Sequence, residues 1–134
     1  MKIIEDPTSD NPPHTLCKVD IHVILAELPS DSVSSIRTVR LSADIKESPM
    51  DIARFHPPDG ALMINSRGFT TEEVVYAVVV ELLCHACAVI FHENHQIHAV
   101  DQYRINQIAV PYLETILPQL SQKMVRLDKL PTDL

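Results

Sequence analysis

Residues 74–98 read VVYAVVVELLCHACAVIFHENHQIH. From Val74 to Phe91 the run is apolar except for Glu81, Cys84, His85 and Cys87, and His92, His95 and His98 follow in a polar stretch. Thr70 to Glu73 precede it as a capping box, in which threonine and glutamate side chains satisfy the first amides of a helix. The pattern predicts a helix over about residues 71–91, apolar nearly all round and therefore buried centrally. Ionisable groups inside such a helix are costly unless they pair or bind something. The segment therefore either holds a site or carries the remains of one. The 18 residues from 74 to 91 reach the lower limit for a membrane span. Glu81 and His85 near the middle, and the capping box at the start, argue against one.

Outward from this helix, the chain predicts strands first and helices second, the order of a small α+β domain. Val19, Ile21, Val23 and Leu25 alternate with Lys18, Asp20 and His22, which predicts a half-buried strand from Leu16. Residues 29–35 are a polar loop, and 36–43 alternate again as a second strand. Residues 45–58 show no regular pattern. Pro57 to Gly60 form a turn signal, and the short apolar run Ala61 to Ile64 is a third strand. The expected sheet is thus small, antiparallel or mixed, with about three strands. After the polar connection 92–98, Tyr103, Ile105, Ile108, Ala109, Tyr112 and Leu113 give helical spacing from about Val100. Pro111 and Pro118 are expected to kink or restart that helix. The expected division is a flexible N-terminal arm over 1–14, one domain over 15–125 and a C-terminal tail over 126–134.

With 134 residues, 46% of them hydrophobic, the chain can bury a core and is not expected to be disordered. The net charge of −7 and the lack of a basic run disfavour a nucleic-acid binder. Two glycines are too few for a phosphate-cradling loop, and three cysteines do not make a disulfide framework. The start MKIIEDPTSDNPP has no apolar signal core, so a cytoplasmic setting is expected.

Glu81 and His85 stand four apart and share a helix face, with Cys84 three beyond Glu81. Carboxylate, thiolate and imidazole are all zinc ligands. Asp101, or one of His92, His95 and His98, would be needed to complete a metal site with Cys84 and His85. The spacing permits several sets and enforces none. The competing structural readings are a cysteine that fills the core and a Glu81 that pairs with His85 or Arg104. A thioredoxin-like role for Cys84-His85-Ala86-Cys87 is disfavoured, because that chemistry needs a helix N-terminus and these residues lie deep in a helix.

The frame Val80-Glu81-Leu82-Leu83-Cys84 resembles the H-E-x-x-H motif of zincin-type metallopeptidases. Ala61 to Asn65 resembles the edge strand leading into that helix. Residues 102–109, QYRINQIA, resemble the E-x-x-A-N-x-F-A segment of the ImmA/IrrE family. The resemblance covers about residues 61–117. It implies a zincin-like fold in which Val80 and Cys84 occupy the positions of the two zinc-binding histidines. Gln102 falls on the third ligand, and Glu81 keeps the general-base position. Val80 cannot bind zinc, and a general base without a metal-activated water lacks its electrophile. His85 is one residue out of frame, about 100° round the helix.

Three functions stay open on this reading. The first is a non-catalytic, pseudo-peptidase domain that binds a protein partner or a second copy. In the resembling family, peptidases cut repressors in prokaryotic stress response, so a regulatory partner is the implied one. The second is a metal-dependent hydrolase with an altered zinc centre at Cys84, His85 and Asp101 around Glu81. The third is a structural or assembly subunit. No cofactor is expected under the first and third, and zinc under the second.

Overall fold

The computed structural model describes residues 1–10, 12–86 and 99–132. The fold is α+β, and its sheet is mixed and four-stranded. The strands are β1 (Lys2–Glu5), β2 (Thr38–Leu41), β3 (Ala53–His56) and β4 (Ala61–Ile64). They lie in the order β1-β2-β4-β3, with β1, β2 and β4 parallel and β3 antiparallel to β4. The helices among the described residues are α1 (Lys18–Glu27), α2 (Ser30–Val33), α3 (Thr71–Ala86) and α4 (Ala99–Thr132). A 3₁₀ turn, Pro49–Asp51, introduces β3.

Strand alternation sorts the sheet into two faces. Val39, Leu41, Ala53, Phe55, Leu62 and Ile64 are buried, while Arg40, Arg54 and His56 between them are exposed. Against the buried face lie Val74, Val75, Val78, Val79, Leu82 and Leu83 of α3, a doubled stripe at helical spacing. Ile21, Ile24 and Leu25 of α1, with Leu28 after it, join the same core, as do Ala109, Ile116 and Leu120 of α4. Each fully buried aliphatic side chain contributes roughly 1.5–3 kcal/mol.

The second and third expected strands are present as β2 and β4, but the first is not a strand. Residues 18–27 form α1, capped by Cys17, whose backbone N–H donates to Asp20 Oδ2 at 2.8 Å. Ile21, Ile24, Leu25 and Leu28 carry the spacing i, i+3, i+4, i+7, and this helical period prevails over the alternation. The two missing strands come from segments that showed no pattern. Residues 2–5, inside the expected arm, pair with β2 as one edge of the sheet. Residues 53–56, inside the irregular stretch, form the other edge. Ala61–Ile64 leads towards α3 as expected, but it lies between β2 and β3 and is not an edge. Neither edge strand lies in a longer alternating run, as β2 does, or forms an apolar run after a turn signal, as β4 does.

Asp10 and Pro12 of the expected arm, and Thr15 just after it, are also held. The Arg67 guanidinium is buried and donates to the carbonyls of Pro12 and Ala43 and to Asp10. Thr15 Oγ1 lies 2.6 Å and 2.8 Å from the carbonyl oxygens of Ser66 and Phe69. Helix α4 runs through Pro111 and Pro118 without restarting and continues over residues 126–132 of the expected tail. Both prolines are exposed, so water can satisfy the carbonyls that lose an amide partner. The expected helix end near Phe91 and the 92–98 connection lie outside the described residues. No described helix is long and apolar enough to cross a membrane.

Two predictions follow from these contacts. Gly60 closes the β3–β4 turn at φ 64°, and a Cβ there would sit 2.7 Å from the Ser35 carbonyl oxygen. Gly60→Ala is expected to lower stability by about 1–3 kcal/mol, read as a shift in the urea midpoint. Glu73 accepts from the Thr70 N–H at 3.0 Å, and this bond holds its carboxyl below the usual carboxylate range. A depressed folded pKa gives stability that is present above the unfolded pKa and is lost as pH falls through the folded one. Glu73→Gln should therefore flatten part of the acid limb of the stability curve, measured by denaturation across pH.

Candidate functional site

Packing the valine stripe of α3 under the sheet turns an adjacent stripe sideways. Glu73, Tyr76, Ala77, Val80, Glu81 and Cys84, three or four apart, line a cleft of about 420 Å³. Its second wall is Pro49, Met50, Ile52, Ala53 and Arg54, at the outer edge of β3 and the turn before it. Ile105 and Asn106 of α4 close the third side. Tyr76 donates its hydroxyl hydrogen to Asn106 Oδ1, joining the two helices across the cleft. The lining is mainly aliphatic, and Met50 stands 81% exposed at the rim.

Glu81 is the polar centre of this cleft. Its Oε1 accepts the backbone N–H of Phe55 at 3.0 Å and lies 3.0 Å from Nε2 of His85. The His85 ring meets Phe55 edge to face, with centroids 5.3 Å apart and planes at 86°. The Phe55 amide belongs to β3, and among the described residues no strand pairs with its outer side. Asn65 N–H bonds the Ile52 carbonyl, so by alternation Arg54 and His56 face β4 while Ala53 and Phe55 face away. An edge amide beside an apolar cleft needs an acceptor, and here a side chain from α3 provides it. Glu81 and His85 are partly exposed, at 26% and 34%, so the pair sits on a wall and not deep in the core.

The structure thus brings Glu81 and Cys84 into one cleft, as the helical spacing predicts. Cys84 is half-buried along the wall. His85 turns towards Phe55 and is not part of the cleft lining. The partner expected for Glu81 is found in His85, while Arg104 is exposed on α4. Asp101 and Gln102 belong to α4, and their side chains lie outside the description, as do Cys87, His92, His95 and His98 altogether. Among the described residues, no three His, Cys, Asp or Glu side chains are grouped to share a metal ion. The sequence reading missed Phe55, Met50 and Tyr76. Phe55 and Met50 sit in the segment that carried no pattern, and Tyr76 reads as one more core residue of an apolar helix.

Comparison with known proteins returns no family model, no curated protein and no solved structure that matches this chain.

Removing the acceptor tests the centre of the site. Glu81→Ala leaves the Phe55 N–H without its partner and should cost about 1–3 kcal/mol. His85→Ala, which leaves the Glu81–Phe55 bond in place, should cost less. Urea unfolding of both variants, with unchanged dependence on denaturant, reads the difference.

Proposed function

We propose that this chain is a zincin-like domain, related in pattern to the ImmA/IrrE peptidases, that acts by binding protein and not by hydrolysis. The observation that supports this reading is a shared cleft. Val80, Glu81 and Cys84 line a single cleft with Asn106 of the second matching segment, beside an antiparallel edge strand. In that frame an aliphatic side chain stands where the first histidine would be, and the carboxylate in the general-base position is bonded to a backbone amide. One oxygen of that carboxylate thus serves a structural tie between helix and strand.

The cleft suits an extended polypeptide. The N–H and C=O of Ala53 point outward from β3, and strand addition at an exposed edge uses such groups. Alternate side chains of the added strand would meet the aliphatic wall of Ala77, Val80 and Ile105. A regulatory protein partner fits the first of the three functions left open by the sequence. The altered-site hydrolase would need Cys84 and His85 to face a common point, whereas Cys84 lines the cleft and His85 packs on Phe55 outside its lining.

Metal content tests the reading in both directions. Protein purified without chelator or nickel is expected to carry well under one zinc per chain by mass spectrometry. Val80→His with Cys84→His should introduce zinc binding, since both positions face the cleft and regain the two lost donors. Stoichiometric zinc in the unsubstituted protein would instead favour a hydrolase centred on Cys84, His85 and Asp101. A folded double variant that takes up no zinc would count against the zincin-like frame.

A further inference from the structure

We propose that β1 and the segment after it, as far as Thr15, form a strap that releases as one unit while the rest of the domain stays folded. Among the described residues β1 is bonded only to β2, so the sheet β2-β4-β3 remains whole when β1 leaves. No described residue of 1–15 is buried, and the core begins at Leu16. Ile3 packs against that core but is only partly buried. A segment with so little buried apolar surface is held by polar contacts, and such segments open at a lower free energy than the core.

Those contacts fall at two ends. At the near end are the β1–β2 bonds and the Arg40–Asp6 ion pair. At the far end the Arg67 guanidinium, 5% exposed, donates to the Pro12 carbonyl and to Asp10. Thr15 bonds there to Ser66 and Phe69. His14 ties the two ends together, because its Nε2 donates to the Asp6 carbonyl oxygen at 2.6 Å. The same side chain carries a cost. His14 Nδ1 is buried without a hydrogen-bond partner, the one such side-chain nitrogen or oxygen among the described residues. An unpaired buried polar atom destabilises the arrangement that buries it, and release returns it to water.

Release changes the carboxyl end of the sheet. Arg67 gives up Pro12 and Asp10 and keeps the Ala43 carbonyl. Glu5, Thr8 and His14 leave the wall of a cleft of about 310 Å³, whose other side includes Cys17 and Thr71 at the starts of α1 and α3. The strap thus gives this end of the domain a closed and a released form. It is separate from the Glu81 cleft and does not depend on what binds there.

Native-state hydrogen exchange, followed amide by amide by NMR at low denaturant, tests the strap. The amides of Lys2, Asp6 and Thr15 bond to Arg37, Leu41 and Ser66. They are expected to exchange together, on the order of tenfold or more faster than the amides of β4 and α3. Asp10→Ala and Thr15→Val act only on the far end. The Asp10 side chain is 68% exposed, and valine keeps the shape of Thr15. Each substitution should speed exchange at Lys2 and Asp6 about tenfold, the scale of the hydrogen bonds it removes, with β4 and α3 unchanged. Exchange of the three amides at the rate of β4 and α3 in the unsubstituted protein would overturn the strap. So would a rise confined to the neighbourhood of the substitution, which is independent fraying, or a rise shared by β4 and α3, which is global destabilisation. If neither variant passes a check of folding by circular dichroism, the unsubstituted protein decides. One denaturant dependence common to the three amides supports a single unit, and different dependences overturn it.

Discussion

The aliphatic stripe of α3 lies against one face of the sheet, and the placing of every other feature of the site depends on that contact. Val74, Val75, Val78, Val79, Leu82 and Leu83 are all buried there. Each residue advances a helix by about 100°. Once these positions face the sheet, Tyr76, Val80, Glu81 and Cys84 must face its margin. The margin they meet is β3, the antiparallel edge. A half-buried carboxylate on that side finds an outward amide within reach, and the Glu81–Phe55 bond joins helix to strand where hydrogen bonding within the sheet ends. The same bond resolves two costs together, because neither a partly buried charge nor an edge amide beside apolar walls is tolerable alone.

The carboxyl end of the sheet is built differently from the Glu81 cleft. Ligands of largely parallel sheets commonly bind beyond the carboxyl ends of the strands. In this chain the loops after β2 and β4 contribute the Ala43 carbonyl and Arg67. The guanidinium of Arg67 spends its donors on Ala43, Pro12 and Asp10. The N-terminal segment is thereby drawn against that end, where a second cleft of about 310 Å³ lies between Glu5, Thr8, His14 and Asp20. The cleft that holds Glu81 lies instead at the antiparallel edge, between helices and strand.

Charge follows the same economy. The chain is acidic overall, yet Lys2, Arg40, Arg54 and His56 project from the outer face of the sheet. Three of them lie beside an aspartate: Arg40 by Asp6, Arg54 by Asp51 and His56 by Asp59. The Arg40 guanidinium holds the Asp6 carboxyl below its ordinary range. Such exposed pairs contribute little to stability, but they set an acidic side chain beside Arg40, Arg54 and His56, so these three do not form a patch of one sign.

The α+β class, β2, β4, the start of α3 and the helical stripe of α4 were legible from the sequence, because each is local. A capping box, a turn at Pro57–Gly60 and apolar periods in long segments need no distant partner. The grouping of Glu81 with Cys84 was legible for the same reason, since spacing along one helix sets it. Residues 16–28 misled because alternation and helical period coincide there, and the choice falls to the core that Ile21, Ile24, Leu25 and Leu28 fill together. β1 and β3 were invisible because each lies in a polar or irregular stretch, and only pairing with its neighbour defines it as an edge. For the site, the sequence alone said that Glu81 needs a partner. Only the tertiary structure chose the Phe55 amide, since that bond spans 26 positions and exists only once α3 is packed beneath the edge of the sheet.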